Sequence, residues 1–194
     1  MSIKTSFAMR PRWRRGLAVK SKLPLALQRW LLNDGSLTAR LLVLFNGDLK
    51  VEILSQYWGS PRIDEALAMA IAPRARVLIR EVILHGGGQA CIYARSILPC
   101  KSLTGSMRAM RKLDNRPLGA WLFSQPNMRR GPLTVASFQN NVIELPALIQ
   151  QNHPLWGRRS VFYIEDKPLL VSEIFLKPLS NIITSRQSEV KNES

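Results

Sequence analysis

The chain has 194 residues, of which 46% are hydrophobic and 21% are charged, which is enough for one domain with a buried core and short for two. Its formal net charge is +15, an excess that suits nucleic acid, an anionic membrane surface or anionic small molecules, or that serves solubility alone. Because no RNA- or DNA-binding motif accompanies the charge, we expect no specific nucleic-acid partner.

The N-terminal part is predicted to begin with a basic, loosely ordered arm over residues 1–20, followed by one domain over residues 21–180. Apolar spacing and turn residues then predict a helix at 23–32, a helix that begins at Ser36, a strand at 49–57 and a helix between Ser60 and Pro73. Residues 41–45 fit either a helix or a strand entering a hairpin.

Two strands are predicted around a glycine-rich turn, one at 76–84 and one at 90–98. The intervening His-Gly-Gly-Gly at 85–88 lies between strands and lacks the spacing of a phosphate loop, so we interpret it as a hairpin turn. Each strand carries an arginine among apolar side chains of one face, Arg80 in the first and Arg95 in the second.

The C-terminal part is predicted to contain two short helices, 104–113 and 117–123, before a long connection. This connection, 124–154, is interrupted by prolines, and its length is typical of a functional flap. A second hairpin is expected at 160–176, and a polar, disordered tail at 181–194. Hairpin strands with helices clustered elsewhere predict an α+β fold, an antiparallel sheet with helices packed on one face.

The sequence lacks the motifs of several common kinds of functional site and segment. The two histidines, His85 and His153, have no well-spaced partner ligand, so we expect no metal. No serine-triad, Walker or dinucleotide motif is present, and we expect no cofactor. Cys91 and Cys100 form neither a disulfide framework nor a metal pattern, and we expect reduced thiols. No apolar run reaches the length of a membrane span and no signal peptide is evident, so we expect a cytoplasmic protein.

Three charges inside apolar strands are the candidate functional groups: Arg80, Arg95 and Glu173. Glu173 shares a strand face with Leu169, Val171 and Phe175, where an unpaired carboxylate would be costly. One interpretation is that Arg80 or Arg95 forms a buried ion pair with Glu173 or Glu81. The other is a closed pocket in which an arginine binds a ligand carboxylate and the glutamate binds a hydroxyl.

Several short motifs decide in favour of the second interpretation because the chain resembles the chorismate lyase family. The resemblance covers roughly residues 20–178, and its most specific part is LWGRRS at 155–160 followed by KPLLVSE at 167–173. The other matching pieces, each weak alone, are DGSLT at 34–38, REVIL at 80–84, ARS at 94–96, PLG at 117–119 and LF at 122–123. The chain departs from the family in its longer connection at 124–154 and in a leucine at position 37, where methionine can occur.

The resemblance implies one α+β domain whose helix–loop flaps close over an internal cavity, and conversion of chorismate to 4-hydroxybenzoate and pyruvate without a cofactor. Arg80 would hold the ring carboxylate, Glu173 would lie at the hydroxyl as base or as orienting group, and Leu118 and Leu37 would contact the ligand. Arg95 is our first candidate for the carboxylate of the enolpyruvyl side chain. We also expect product inhibition, a monomer and no transmembrane segment, with peripheral membrane contact left open.

A non-catalytic sensor of small aromatic acids is the alternative, because effector domains of bacterial transcription regulators share this fold. Such domains usually follow a DNA-binding unit, and the 20-residue arm leaves no room for a helix-turn-helix. A basic nucleic-acid-binding protein is the third hypothesis, which rests on charge alone and predicts steeply salt-dependent binding to any duplex.

Overall fold

The computed structural model describes residues 11–138, 146 and 154–192, with side chains up to residue 186. Within these ranges the chain forms eight strands, β1 (Arg14–Arg15), β2 (Leu49–Gly59), β3 (Val77–Gly86), β4 (Gln89–Pro99), β5 (Met128–Arg130), β6 (Thr134–Phe138), β7 (Leu155–Ile164) and β8 (Lys167–Phe175). The α-helices are α1 (Leu25–Leu31), α2 (Leu37–Leu44), α3 (Ile63–Met69), α4 (Leu118–Phe123) and α5 (Lys177–Asn192). Short 3₁₀ helices cover Leu17–Lys22, Cys100–Ser102 and Gly105–Lys112.

One antiparallel sheet organises the fold, and the predicted α+β class is confirmed. Its strand order is β1-β6-β7-β8-β4-β3-β2, and β5 pairs with β7 beside β6. Two predicted hairpins, β3–β4 and β7–β8, lie at its centre. Gly87 and Gly88 turn the first hairpin with φ of 57° and 75°, a left-handed conformation that glycine adopts without steric cost.

Side chains alternate between the two faces of the sheet along each strand, and both faces are covered by other elements. The site face carries Arg80, Ala94, Glu173 and Arg158 on neighbouring strands. Helices α1, α2 and α5 pack on one part of this face and α4 on another. The far face carries Arg95 and packs against α3, so the predicted placement of helices on one face holds for all but α3.

The predicted disordered tail is wrong for residues 181–192, which continue helix α5. Leu179 and Ile183 lie one helical turn apart, so both face the same side of the helix. They are 0% and 3% exposed, and they pack in the core formed with α1. Residues 193–194 lie outside the described residues.

The predicted loose arm is wrong from Trp13 onwards. Arg14 and Arg15 pair with Val135 and Thr134 of β6, and the Trp13 ring meets Phe138 edge to face with centroids 5.6 Å apart. These pairings bury apolar surface at the edge of the sheet, which a basic composition does not reveal. Residues 1–10 lie outside the described residues.

The predicted flap at 124–154 is also wrong for its first half, because β5 and β6 add to the edge of β7. The rest of that prediction, residues 139–145 and 147–153, lies outside the described residues. Residues 41–44, left open between helix and strand, belong to α2, because Leu37, Leu41 and Leu44 form one buried helical stripe. In the described part of the chain, no helix is long and apolar enough to span a membrane.

Candidate active site

A cavity lies between the site face of the sheet and the first turns of α2 and α4. The space between its lining atoms, including its opening to solvent, measures about 530 Å³. Apolar side chains dominate its wall, with a few polar groups between them. The lining residues used below are Leu37, Arg80, Leu118, Arg130, Arg158 and Glu173.

Arg80 lies at one end of this cavity, on β3, and is 2% exposed. Its Nη2 donates to the backbone oxygens of Asp114 at 2.6 Å and Arg116 at 3.2 Å. Its Nε is buried and has no hydrogen-bond partner among the described residues. Burial lowers the pKa of Arg80, and the opposing effect of Asp114 is smaller. A buried cation with an unused donor is the group that an anionic ligand would satisfy.

Glu173 lies on β8 at the other end of the cavity. Its Oε2 accepts a hydrogen bond of 2.6 Å from Nε of Arg158, whose Nη1 also donates to the backbone oxygens of Trp30 and Asn33 at 3.0 and 2.6 Å. Arg158 therefore fixes the carboxylate and caps the end of α1. Of the buried ion pairs considered from the sequence, the pair between Arg95 and Glu81 exists, whereas the partner of Glu173 is Arg158 and neither Arg80 nor Arg95.

The separation of Arg80 and Glu173 follows from the sheet. Strand β4 lies between β3 and β8, and Arg80 pairs with Ser96 while Glu173 pairs with Ala94. Two strand spacings and a two-residue offset place their Cα atoms about 12 Å apart on one face. Both side chains line the cavity, which therefore has a cation toward one end and a carboxylate toward the other.

Leu37 and Leu118 are the first residues of α2 and α4. The backbone N–H groups in the first turn of a helix have no acceptor within the helix, and in α2 that of Ala39 donates to Oγ of Ser36 at 3.2 Å. A Cβ on Gly119 would lie 2.6 Å from Oγ1 of Thr38, so the two helix starts are in close contact beside the cavity. Leu37 and Leu118, the two predicted contact residues, both line the cavity.

Arg95 is not in this cavity, and the prediction that it binds a substrate carboxylate is wrong. It lies on the far face, where Nε donates to Glu65 at 2.8 Å and Nη1 donates to Glu81 at 2.9 Å. Tyr93 also donates to Glu81, at 2.6 Å. Arg95 lies on the far face because the pairing of β3 with β4 shifts register between Leu84 and His85. Such a bulge moves every later side chain of the strand to the other face.

Arg130 of β5 is a lining residue that sequence reasoning missed. Its Nε donates to Oγ of Ser160 at 3.0 Å, and its Nη1 donates to the backbone oxygen of Asp34. A three-residue strand has too few positions for a recognisable alternation. The available signal was a pair of arginines, Arg129 and Arg130, inside a connection otherwise interrupted by proline and glycine.

Comparison with known sequences identifies the family. A sequence model described as "Chorismate lyase" matches residues 8–187. A protein of Methylococcus capsulatus named "Probable chorismate pyruvate-lyase" is 35% identical over 159 residues, 80% of this chain and 98% of the relative. A protein of Halorhodospira halophila with the same name is 39% identical over 168 residues, 84% and 88% of the two chains.

Comparison with solved structures concerns the fold alone. PhnF from Mycobacterium smegmatis matches with a TM-score of 0.55 at 15% identity, over 76% of this chain and 66% of that one. The possible transcriptional regulator YydK from Bacillus subtilis matches with a TM-score of 0.53 at 12% identity, over 70% and 60%. The fold is therefore shared with transcription regulators, whereas the sequence and the family model agree on one assignment: this chain belongs to the chorismate lyase family.

Proposed function

We propose that this protein converts chorismate to 4-hydroxybenzoate and pyruvate, as the first committed step of ubiquinone biosynthesis. The observation that carries the proposal is Arg80, a buried guanidinium whose Nε lacks a partner among the described residues and which faces Glu173 across one cavity. Family membership and the names of relatives at 35–39% identity support it. We also propose that the protein acts as a monomer.

Binding follows from the chemistry at the two ends of the cavity. The ring carboxylate of chorismate takes the free edge of the Arg80 guanidinium, next to the helix starts at Leu37 and Leu118. The ring hydroxyl, which lies opposite the carboxylate on the ring, donates to Oε1 of Glu173, because Oε2 already accepts from Arg158. The apolar wall excludes water and strengthens both polar contacts.

The reaction is an elimination that makes the ring aromatic. The C–H bond beside the hydroxyl breaks and its hydrogen leaves as a proton. The C–O bond on the neighbouring carbon breaks, and its electron pair leaves with the enolpyruvyl oxygen. We propose that the proton passes to the enolpyruvyl group, which becomes pyruvate, and that Glu173 orients the hydroxyl. Aromatisation drives the reaction, so the protein contributes mainly position and a charged, dry environment.

The role of Glu173 is tested by Glu173→Gln, which keeps the shape of the side chain. An orienting role predicts weaker 4-hydroxybenzoate binding with measurable turnover. A base is worth about 10²- to 10⁴-fold in rate, so a variant that binds 4-hydroxybenzoate normally but has lost turnover would contradict the orienting role.

The function itself is tested by incubating purified protein with chorismate and a metal chelator. Equal amounts of 4-hydroxybenzoate and pyruvate are expected, with loss of both in Arg80→Met. Arg129→Met is the matched control, since the Arg129 side chain is 62% exposed, and it should keep wild-type turnover. Saturable 4-hydroxybenzoate binding by the wild-type protein without product formation would instead indicate the sensor.

A further inference from the structure

The cavity carries more positive charge than the ring carboxylate requires. Three guanidinium groups and one carboxylate line it, and Arg158 forms a salt bridge of 2.6 Å with Glu173. Neither Arg80 nor Arg130 forms a salt bridge with a described residue, and the nearby Asp34 is exposed. Two of the cavity's guanidinium groups, Arg80 and Arg130, therefore have no salt-bridge partner in the part of the chain that the structure describes. Chorismate carries two carboxylates, whereas 4-hydroxybenzoate carries one.

Arg130 is held in place without being neutralised. Its Nε donates to Ser160 at 3.0 Å, its Nη1 donates to the backbone oxygens of Asp34 and Gly35, and its guanidinium carbon lies 5.1 Å from the Phe162 ring centre. No hydrogen bond joins its Nη2 to a described residue. Burial, followed by repulsion from Arg158, lowers the pKa of Arg130 to about 10. The guanidinium is thus fixed in direction, and an anion would relieve both effects.

The position of the enolpyruvyl group in the cavity follows from the substrate. Its ether carbon is adjacent to the carbon that bears the hydroxyl, so the group leaves the ring closer to the Glu173 end than to Arg80. Two cations of the described residues lie at that end. Arg158 is neutralised by Glu173, which leaves Arg130 as the available cation among the described residues.

We infer that Arg130 binds the carboxylate of the enolpyruvyl group and thereby selects chorismate over ring acids that lack this second carboxylate. This inference rests on the proposed function. As the C–O bond breaks, its electron pair moves onto the departing fragment, so a fixed cation beside that fragment also stabilises the transition state. After the reaction, 4-hydroxybenzoate keeps its contacts with Arg80 and Glu173 and has no group for Arg130.

The experiment compares Arg130→Met with wild-type protein and with Arg129→Met, its exposed neighbour on β5. Two quantities are measured, kcat/KM for chorismate and Kd for 4-hydroxybenzoate. For Arg130→Met we expect kcat/KM to fall by about 100-fold or more, the usual effect of removing one partner of a charged hydrogen bond. The Kd for 4-hydroxybenzoate should change by less than about threefold, and Arg130→Lys should recover part of the lost kcat/KM.

Each outcome has one meaning. If Arg130→Met weakens chorismate turnover and 4-hydroxybenzoate binding equally, Arg130 only holds the loop at Asp34 and Gly35, and the inference is overturned. Unchanged kcat/KM in that variant also overturns it, while wild-type turnover keeps the proposed function. If wild-type protein does not convert chorismate at all, the proposed function itself has failed.

Discussion

Replacing Arg95 with methionine should destabilise the fold and leave the ligand cavity intact. The Arg95 guanidinium donates to Glu65 at 2.8 and 3.3 Å and to Glu81 at 2.9 Å, and these three side chains are 6%, 4% and 15% exposed. Methionine leaves both carboxylates in a poorly hydrated site without their cation. Removing one partner of a buried ion pair costs about 3–5 kcal/mol, which corresponds to a fall in Tm of roughly 10 °C for a chain of this size.

Scanning calorimetry measures the Tm, and calorimetric titration at a temperature where the variant is folded measures Kd for 4-hydroxybenzoate. The control is Arg129→Met. Both side chains of the Arg129–Asp166 ion pair are exposed, so the pair contributes about 1 kcal/mol or less to the free energy of unfolding. An Arg95→Met protein with wild-type Tm would refute the structural role. A normal Tm combined with lost 4-hydroxybenzoate binding would indicate that Arg95 binds the ligand.

Three further predictions concern acid stability, thiol reactivity and product release. Burial alone would raise the pKa of Glu81, but hydrogen bonds, led by that from Tyr93, outweigh it and lower the pKa. A carboxyl group whose pKa is lower in the folded state stabilises the fold, and that stabilisation is lost as the pH falls through the folded-state pKa. In urea denaturation between about pH 5 and 3, the free energy of unfolding should therefore fall more steeply with pH for wild type than for Glu81→Gln. Equal slopes for the two proteins would contradict this. Cys100 should react with an aromatic disulfide reagent before Cys91, which is 0% exposed and whose thiol pKa is raised by burial; two equally fast thiols would argue against the packing. Added 4-hydroxybenzoate should inhibit turnover competitively because it would occupy the same cavity as chorismate, and a rate insensitive to it would count against that site.

The central strands could be predicted because alternation and turn residues are local properties. The strand faces of Arg80 and Glu173 were also correct, whereas Cys91, the extra residue of the bulge, packs with Ile92 and not on the predicted face of Tyr93. Which faces meet across a hairpin depends on register. Gly86 lies opposite Gln89, and without the register shift between Leu84 and His85 this pairing would continue to Arg80 opposite Arg95. The bulge separates the two arginines by the thickness of the sheet, and no residue at that position identifies it in the sequence.

The edge of the sheet and the ends of the chain could be predicted less well. Strand β1 has two residues and β5 has three, so neither shows a period, and both owe their extended form to pairing with a neighbour. The position of Arg130 in the cavity depends on that pairing. Helix α5 was missed because its composition is polar and only one side of it is buried.

The central claim is that Arg80 binds the ring carboxylate, and a combined change of protein and ligand tests it most directly. Titration calorimetry would give Kd for 4-hydroxybenzoate and for 4-hydroxybenzyl alcohol, which keeps the hydroxyl and lacks the carboxylate, with wild-type protein and with Arg80→Met. Wild-type protein should prefer the acid by about 100-fold or more, and Arg80→Met, still folded, should have lost this preference. An Arg80→Met protein that keeps the wild-type preference for the acid would contradict this role of Arg80.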